Sequence, residues 1–337
     1  MADVISELTN IGKIINPYLA YYLKKDASDE FLDVILHQVN TGGKRIRPAL
    51  TLLCCEIAGG KLEKAIPAAV AVELIHNYSL IIDDIIDRGE IRRGKPTTRK
   101  LYGDTMALLA GLHYREAVIN AVNDCMNSLK IHEILSKAIK ELIDGERLDV
   151  LFEQAGRYNE YIIKHRRKYV SLSEYLDMIS KKTAALIKAS CIVGGLVANA
   201  PQEVIFALEK FGENIGLAFQ IIDDLLDIFG ESKVFGKQIG KDIIEHKLGN
   251  IIVILALEEL EGNDKEKLLE ILRKEKIKDE DLKTAMALIR KTNAKDKALR
   301  MAREYAFQAV KALEKLPQCN AKEKLIKLAN FIIERQF

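Results

Sequence analysis

The sequence has no tryptophan, only six prolines, and no uninterrupted apolar stretch of bilayer-spanning length. Without tryptophan and without short β-branched runs bounded by turn residues, a β-sandwich or barrel has little to build on. No proline lies between Pro96 and Pro201, so about a hundred consecutive residues are free of the strongest helix breaker. Charge of one sign is lacking too. Lys plus Arg less Asp plus Glu is 51 − 49 = +2, which gives no global field for nucleic acid or an anionic membrane. Any anionic ligand must be held locally. The five cysteines, Cys54, Cys55, Cys125, Cys191 and Cys319, are scattered, odd in number and without CxxC metal spacing. They read as reduced, buried thiols. The start, MADVISELTNIGKIINPYLA, shows no basic patch followed by an apolar run, and stretches such as Ile251 to Leu257 are too short to cross a bilayer. No membrane span and a cytoplasmic location are expected.

What is present fits a soluble globular chain of 337 residues, with 48% hydrophobic and 30% charged residues, a balance that excludes disorder and collagen-like repeats. Apolar residues recur at three- and four-residue intervals, as at Ala184, Ile187 and Cys191, whereas period-two alternation is scarce. The expected fold class is all-α. Helix punctuation falls at Gly42-Gly43, Gly59-Gly60, Gly89 to Pro96, Gly230 to Gly240 and Pro317, and no linker or low-complexity segment divides the chain. One domain over 1–337 is expected. From Glu258 to Lys297 the sequence is densely charged with both signs, as solvated outer helices laced with i,i+4 pairs would be.

An internal repeat stands out against this background: LIIDDIID at 80–87 and QIIDDLLD at 220–227. Each sets three aspartates, Asp83, Asp84, Asp87 and Asp223, Asp224, Asp227, inside an aliphatic run. In a helix, positions i and i+4 lie about 40° apart and i+1 about 100° away, so the three carboxylates of each motif are expected on one side. Gly89 and Gly94 follow the first motif and Gly230 the second, which places both near helix C-termini, where the macrodipole disfavours anions. Desolvating an unpaired carboxylate costs several kcal/mol, roughly, so something cationic must compensate. Hard oxygen donors without His or Cys point to Mg²⁺ bridging carboxylates to phosphates. Two coincidental polar stripes would mix Glu and Lys at such positions, and an EF-hand would need its ligands in a loop.

Cations are clustered to match. Lys44 and Arg47, in TGGKRIRP, stand just before a Pro-initiated helix, and Arg92 and Arg93, in RRGKP, follow Asp87 closely. Lys181-Lys182-Thr183, Lys237, Lys241 and Lys247 complete the set. Arg can grip phosphate oxygens bidentately, whereas Lys acts as a point charge. Taken singly, each of these is an ordinary surface charge. His76 precedes Asp83 by seven residues, two helical turns, and so lies near the same face; alone it would read equally well as a packing residue.

The ordered series GGKRIRP, DDIID, RRGKPT, KKTAAL, FQIIDDLLD and GKQIGKDIIEHK resembles the trans-isoprenyl diphosphate synthases of the polyprenyl synthetase family over most of the chain. The resemblance implies an all-α bundle around a deep cavity with the two Asp-rich motifs facing each other at its mouth, and a homodimer. It implies that Asp83, Asp84, Asp87, Asp223, Asp224 and Asp227 hold three Mg²⁺ ions, with Mn²⁺ as a substitute, against an allylic diphosphate. Arg92, Lys182, Thr183, Gln220, Lys237 and Lys247 would be that diphosphate's direct partners. Lys44, Arg47, His76 and Arg93 fall where the family binds isopentenyl diphosphate. The implied reaction ionises the allylic diphosphate, adds the alkene of isopentenyl diphosphate at C1, and loses a proton, with no covalent enzyme intermediate. Neither nucleic acid nor a membrane span enters this scheme.

Product length is expected to depend on what lies beneath Asp83. Tyr78 occupies the family's aromatic stop position and Ser79 beside it is small, a combination similar to synthases of geranylgeranyl or farnesyl diphosphate. Ideal helix geometry puts Tyr78 about 140° and Ser79 about 40° from Asp83, so neighbouring helices must decide between them. Two departures from the family pattern stand at Ala110-Gly111-Leu112-His113-Tyr114-Arg115, where His113 or Tyr114 would shorten or redirect the product, and at Gly145-Glu146, where Gly-Gln is common. Geranylgeranyl diphosphate is the expected product. Farnesyl diphosphate, a class I terpene cyclase and a noncatalytic partner subunit are the alternatives. A cyclase has no use for Lys44, Arg47 and His76, and a noncatalytic subunit would be expected to have lost an aspartate.

Overall fold

The computed structural model describes residues 2–230 and 239–334. It is helical almost throughout, as the three- and four-residue spacing predicts; the sheet among the described residues is a hairpin, β1 (Ile91–Arg92) against β2 (Lys95–Pro96). Two compact units are formed. One comprises Met1–Lys140, Leu186–Gly212 and Val310–Leu328, the other Glu141–Ala185, Glu213–Ala309 and Ala329–Phe337. Each is assembled from segments distant in sequence, so no linker marks a boundary between them.

The first unit holds α1 (Ala2–Lys13), α2 (Asn16–Lys24), α3 (Leu32–Asn40), α4 (Ile46–Ile57), α5 (Leu62–Ile86) and α6 (Thr98–Asn123). Helix α5 is apolar on nearly every side, and Ala68 to Ile75 is buried without a break. By length and composition it could cross a membrane, which scanning for unbroken apolar runs did not anticipate, yet 61% of its most apolar window is buried within the protein. A helix that is hydrophobic all round is a core helix when other helices cover it, and α6 packs along it. Thr97 caps α6 by accepting from the Lys100 amide, and Gly103, at φ +82°, kinks its first turns. All five cysteines are free; Cys54, Cys55, Cys125 and Cys191 are buried, whereas Cys319 is partly exposed, contrary to the expectation of five buried thiols.

The second unit takes its residues from the end of α7 (Ser128–Phe152), from α8 (Glu160–His165) and α9 (Leu172–Ile179), and from the last turns of α11 (Gln202–Phe229). A π-turn, Ser180–Ala184, joins α9 to α10 (Ala185–Val197). The apolar run Ile251 to Leu257 is a wholly buried helix segment. The charged region beyond it forms helices Gly262–Leu272 and Asp279–Arg290, each burying one apolar stripe, as expected. Its ion pairs are mixed, with Lys267–Glu270 an i,i+3 pair within one helix, whereas Lys291–Asp264 and Lys297–Glu259 join separate segments.

Candidate active site

In the first unit, α5 ends at Ile86 with Asp87 as its C-cap, so the first triplet does sit at a helix C-terminus. The three carboxylates do not share one side. Asp83 is half-buried and Asp87 exposed, while Asp84 turns inward and is 3% exposed. The angular separation explains this: i and i+4 stay together while i+1 rotates away by about 100°. Both Asp84 oxygens accept from Arg92 Nε at 3.0 and 2.9 Å, and Arg92 Nη2 donates to Asp83 at 2.8 Å. Burial raises the Asp84 pKa against the pull of Arg92, whose own pKa is raised by the two aspartates although burial acts to lower it. Asp84, expected as a metal ligand, has both oxygens on Arg92 in this structure.

The hairpin delivers that arginine. Arg93 at φ +55° and Gly94 at φ +74° form the two-residue connection between β1 and β2, the left-handed pair that such tight hairpins need. Gly89 lets the turn close, because a Cβ there would sit 2.7 Å from Asp84 Oδ1. The exposed Arg93 reaches back to donate to the Gly42 carbonyl, Lys95 donates to the Asn40 carbonyl at 3.0 Å, and His37 Nε2 donates to the Pro96 carbonyl at 2.8 Å. The Gly42-Gly43 turn and the RRGKP hairpin are thereby stitched together.

Arg47 lies inside the first turn of α4, not before it, and donates to His76 Nε2 at 3.3 Å. His76 is held neutral, its pKa pushed well down by burial and by Arg47, Arg93, Arg92 and Arg45. An imidazole accepting at Nε2 carries its proton on Nδ1. Arg47 Nε is buried without a hydrogen-bond partner. Lys44 is exposed nearby in sequence. Beneath this group lies Arg45, which the sequence did not single out. It is buried in the left-handed conformation at φ +51° and donates to Glu73 at 2.7 Å, Val39 carbonyl at 2.9 Å, Gly42 carbonyl at 3.1 Å and Asn16 at 3.1 Å. Arg45 is neutralised by Glu73, whereas Arg47 and Arg93 have no acid bonded to them among the described residues. That arrangement suits an anion.

In the second unit the same division recurs. Asp223 and Asp227 are half-buried, and Asp224 is 5% exposed. Asp224 accepts from Gln220 Nε2 at 2.8 Å, Tyr175 Oη at 2.8 Å and the Ile251 amide at 3.2 Å. Through these bonds Asp224, expected as a metal ligand, anchors α11 to its surroundings in this structure. Thr183 donates to the other end of Gln220 at 2.7 Å, giving a chain from Thr183 through Gln220 and Asp224 to Tyr175. Asp227 accepts from the Asp242 amide at 3.1 Å, and its pKa is pushed up to about 7 by burial and by the Asp242 carboxylate. Asp242 itself accepts from Asn250 at 2.8 Å.

Lys182 and Lys247, far apart in sequence, meet on Asp149 at 2.6 and 3.4 Å; Lys182 also pairs with Glu146 at 2.8 Å and Lys247 with Glu245 at 3.3 Å. Burial alone would raise the Asp149 pKa, but the two lysines hold it well below the usual carboxylate range. Two glycines fix the π-turn that carries Lys182. A Cβ on Gly145 would lie 2.3 Å from the Lys182 amide nitrogen, and one on Gly216 2.6 Å from Ala184 Cα. Lys237 lies outside the described residues. Asp149, Asp242 and Tyr175 were not singled out by the sequence, although Asp149 follows the Gly145-Glu146 departure by three residues and Asp242 lies within GKQIGKDIIEHK.

Of the chain-length candidates, Tyr78 is half-buried with its pKa pushed up to about 12 by burial, and the Ser79 hydroxyl bonds back to the His76 carbonyl at 2.9 Å. His113 points into a groove of about 570 Å³ lined by Phe31, Met106, Leu109 and Leu112, and donates to the Leu23 carbonyl at 2.7 Å. Tyr114 is fully buried and donates to the Ile35 carbonyl at 2.6 Å. Both are tied into the packing of α6 against α2 and α3. The chain-length role expected for them finds no support in these contacts.

Among the described residues no three His, Cys, Asp or Glu side chains are gathered closely enough to hold a metal ion by themselves. The carboxylates less buried than Asp84 and Asp224, those of Asp83, Asp87, Asp223 and Asp227, are all hard oxygen donors, which fits Mg²⁺ completed by waters and phosphate oxygens. A helical protein in which Arg92 holds Asp83, and Lys182 and Lys247 converge in the unit that carries Asp223 and Asp227, is suited to diphosphate ligands. The sequence model of the polyprenyl synthetase family matches residues 28–289, and the chain belongs to that family. It is 44% identical over 266 residues to a short chain isoprenyl diphosphate synthase of Methanocaldococcus jannaschii, covering 78% of this chain and 76% of the relative. The structure superposes on geranylgeranyl pyrophosphate synthetase from Pyrococcus horikoshii with a TM-score of 0.90 at 35% identity, over 99% of both chains. It also superposes on a polyprenyl synthase from Caulobacter crescentus complexed with calcium and isoprenyl diphosphate, with a TM-score of 0.88 at 28% identity, over 99% of this chain and 98% of the other.

Proposed function

We propose that this chain is a trans-prenyltransferase that condenses isopentenyl diphosphate with dimethylallyl, geranyl and farnesyl diphosphates, with geranylgeranyl diphosphate as its main product. The observation that carries this reading is that each aspartate triplet lies in a unit with built-in cations, Arg92 bonded to Asp83 in one, and Lys182 and Lys247 converging on Asp149 in the unit that carries Asp223 and Asp227. Asp83, Asp87, Asp223 and Asp227 would hold three Mg²⁺, or Mn²⁺ in their place, and the calcium bound by the Caulobacter relative supports divalent ions here. When bound, such ions supply Lewis-acid stabilisation of the departing diphosphate.

The chain's own groups do the rest. Arg92, Lys182, Thr183, Gln220, Lys237 and Lys247 bind the allylic diphosphate, and the hydrogen bonds and ion pairs that hold Arg92, Lys182, Thr183, Gln220 and Lys247 mean that little reorganisation is needed as negative charge builds on the leaving group. Lys44, Arg47, His76 and Arg93 bind isopentenyl diphosphate, and the unpartnered Nε of Arg47 supports an anion there. The C1–O bond of the allylic substrate breaks, the alkene of isopentenyl diphosphate forms a bond to C1, and a proton passes to the released diphosphate as the new double bond forms. Tyr78 and Ser79 limit product length. The whole chain acts as one functional domain, its location is cytoplasmic, and the exposed Leu108, Leu109 and Leu112 on α6 support pairing of two copies.

Purified protein given Mg²⁺, isopentenyl diphosphate and labelled farnesyl diphosphate is expected to yield the C20 diphosphate. Release of diphosphate with a hydrocarbon instead would establish the cyclase. Asp83→Ala and Asp223→Ala are expected to depress turnover by about a hundredfold or more with the fold intact, and wild-type turnover in either would remove the metal assignment.

A further inference from the structure

The segment after α7 stands apart from the rest of the second unit. Between Arg157 and Tyr169 it carries five cations, Arg157, Lys164, Arg166, Arg167 and Lys168, against the single acid Glu160, a net of +4 in a chain whose total is +2, so the remainder sums to −2. In the same segment Tyr158, Tyr161, Ile163 and Tyr169 are 69%, 59%, 54% and 54% exposed. Helix α8 within it has six residues and buries none of them. Isolated helices of fewer than about twelve residues are marginal in water, and most helical stability comes from packing an apolar face, which α8 does not do within the protein.

The segment is nevertheless built rather than loose. Its neck is closed by the Arg167 amide donating to the Leu151 carbonyl at 2.8 Å, Gln154 Nε2 donating to the Arg167 carbonyl at 2.7 Å, and Arg166 donating to the Arg157 carbonyl at 2.9 Å. Arg157 pairs with Glu153 at 2.5 Å and Arg167 lies 3.7 Å from Glu174, but neither Lys164 nor Lys168 meets an acid among the described residues. Tyr161 and His165 stack at 4.1 Å, so one turn of α8 presents two rings to solvent.

We propose that this loop docks the protein on the surface of an anionic lipid bilayer. Tyrosines settle at headgroup depth, an exposed isoleucine reaches the acyl boundary, and lysines next to them are attracted by acidic headgroups. The absence of a net field over the whole chain does not bear on this, because the attraction acts within a Debye length of the loop. A single short loop cannot neutralise the roughly six to ten phosphates that give strong duplex binding, which disfavours nucleic acid as the occupant. The purpose rests on the prenyltransferase reading: a long-chain allylic diphosphate is an amphiphile, and an enzyme docked on the bilayer would release it where its tail can partition. The docking itself is read without substrates, so it stands or falls apart from that reading.

The test is co-sedimentation of the full-length protein with phosphatidylcholine vesicles, with and without phosphatidylglycerol, over a salt series. Retention on the anionic vesicles alone, falling as salt rises, is expected. Lys164→Glu/Lys168→Glu should weaken partition by roughly 25-fold or more, since each basic side chain near an anionic surface is worth about fivefold. Tyr158→Ser/Tyr161→Ser should weaken it by roughly threefold or more. Both variants should keep wild-type turnover on soluble substrates, which shows that they fold. No retention on anionic vesicles, or retention that neither variant changes, overturns the proposal. So does retention insensitive to the tyrosine variant and matched by binding to a DNA duplex, which would make the loop a general polyanion site.

Discussion

Asp223 and Asp224 are adjacent in sequence, and replacing each by Asn is expected to separate turnover from stability. The Asp224 carboxylate accepts from the Gln220 amide, the Tyr175 hydroxyl and the Ile251 amide. Tyr175 and the Ile251 amide share Oδ2 while Gln220 bonds to Oδ1, so an asparagine that keeps its one acceptor oxygen toward Tyr175 and Ile251 turns its NH₂ on the Gln220 Nε2 donor. One buried donor left unsatisfied costs about 1–3 kcal/mol. At about 2.1 cal/mol/K per residue, the unfolding entropy of 337 residues melting together is about 0.7 kcal/mol/K, so the midpoint should fall by about 1.5–4 °C. Asp223→Asn removes a half-buried carboxylate and should leave the midpoint within about 1 °C while lowering turnover by about a hundredfold. Circular-dichroism melting curves and steady-state turnover on the same preparations decide the matter. If Asp224→Asn melts like wild type and loses turnover as Asp223→Asn does, the division into half-buried ligand and buried anchor is wrong.

Arg45→Met should cost about 3–5 kcal/mol, because it strands the Glu73 carboxylate beside it, and Arg45→Met/Glu73→Met should recover much of that loss. Urea denaturation midpoints measure both, and a cost below about 1 kcal/mol for the single variant would contradict the pairing. Gly145→Ala puts a methyl where the Lys182 amide nitrogen stands 2.3 Å away, and should raise KM for the allylic diphosphate at least about tenfold through displacement of the π-turn. Unchanged kinetics would show that the turn's position does not matter to binding. His76 is depressed well below its ordinary pKa of about 6.5 by burial and by its four arginine neighbours, so below that pH the unfolded chain takes up a proton that the folded one refuses. Its contribution is therefore present above about pH 6.5 and lost as the pH falls toward the folded pKa; the midpoint of wild type relative to His76→Gln should drop over that window, and a pH-independent difference would be the wrong result.

The hairpin and the π-turn show where local reading stopped. Arg93-Gly94 is not the Asn-Gly or Asp-Gly pair that announces a tight hairpin, and Arg93 tolerates its left-handed φ because Gly94 shares the turn and its side chain is tied to the Gly42 carbonyl. Ser180–Ala184 has the composition of an ordinary helix; its extra residue is accommodated because Gly145 and Gly216 let two other helices approach its backbone. The mixed-charge helices were legible as amphipathic, but their ion-pair partners were not, since Asp264 and Lys291 come together only when two helices pack.

Spacing along the chain was enough to establish helices, the repeated aspartates and the basic segments, because helical periodicity and turn residues act over a few neighbours. Packing decided which aspartate of each triplet faces water and which is anchored inside, and it brought Lys182 and Lys247 onto Asp149 and Glu73 under Arg45. A buried polar group must find its partners wherever the fold places them, and those partners lie tens of residues away.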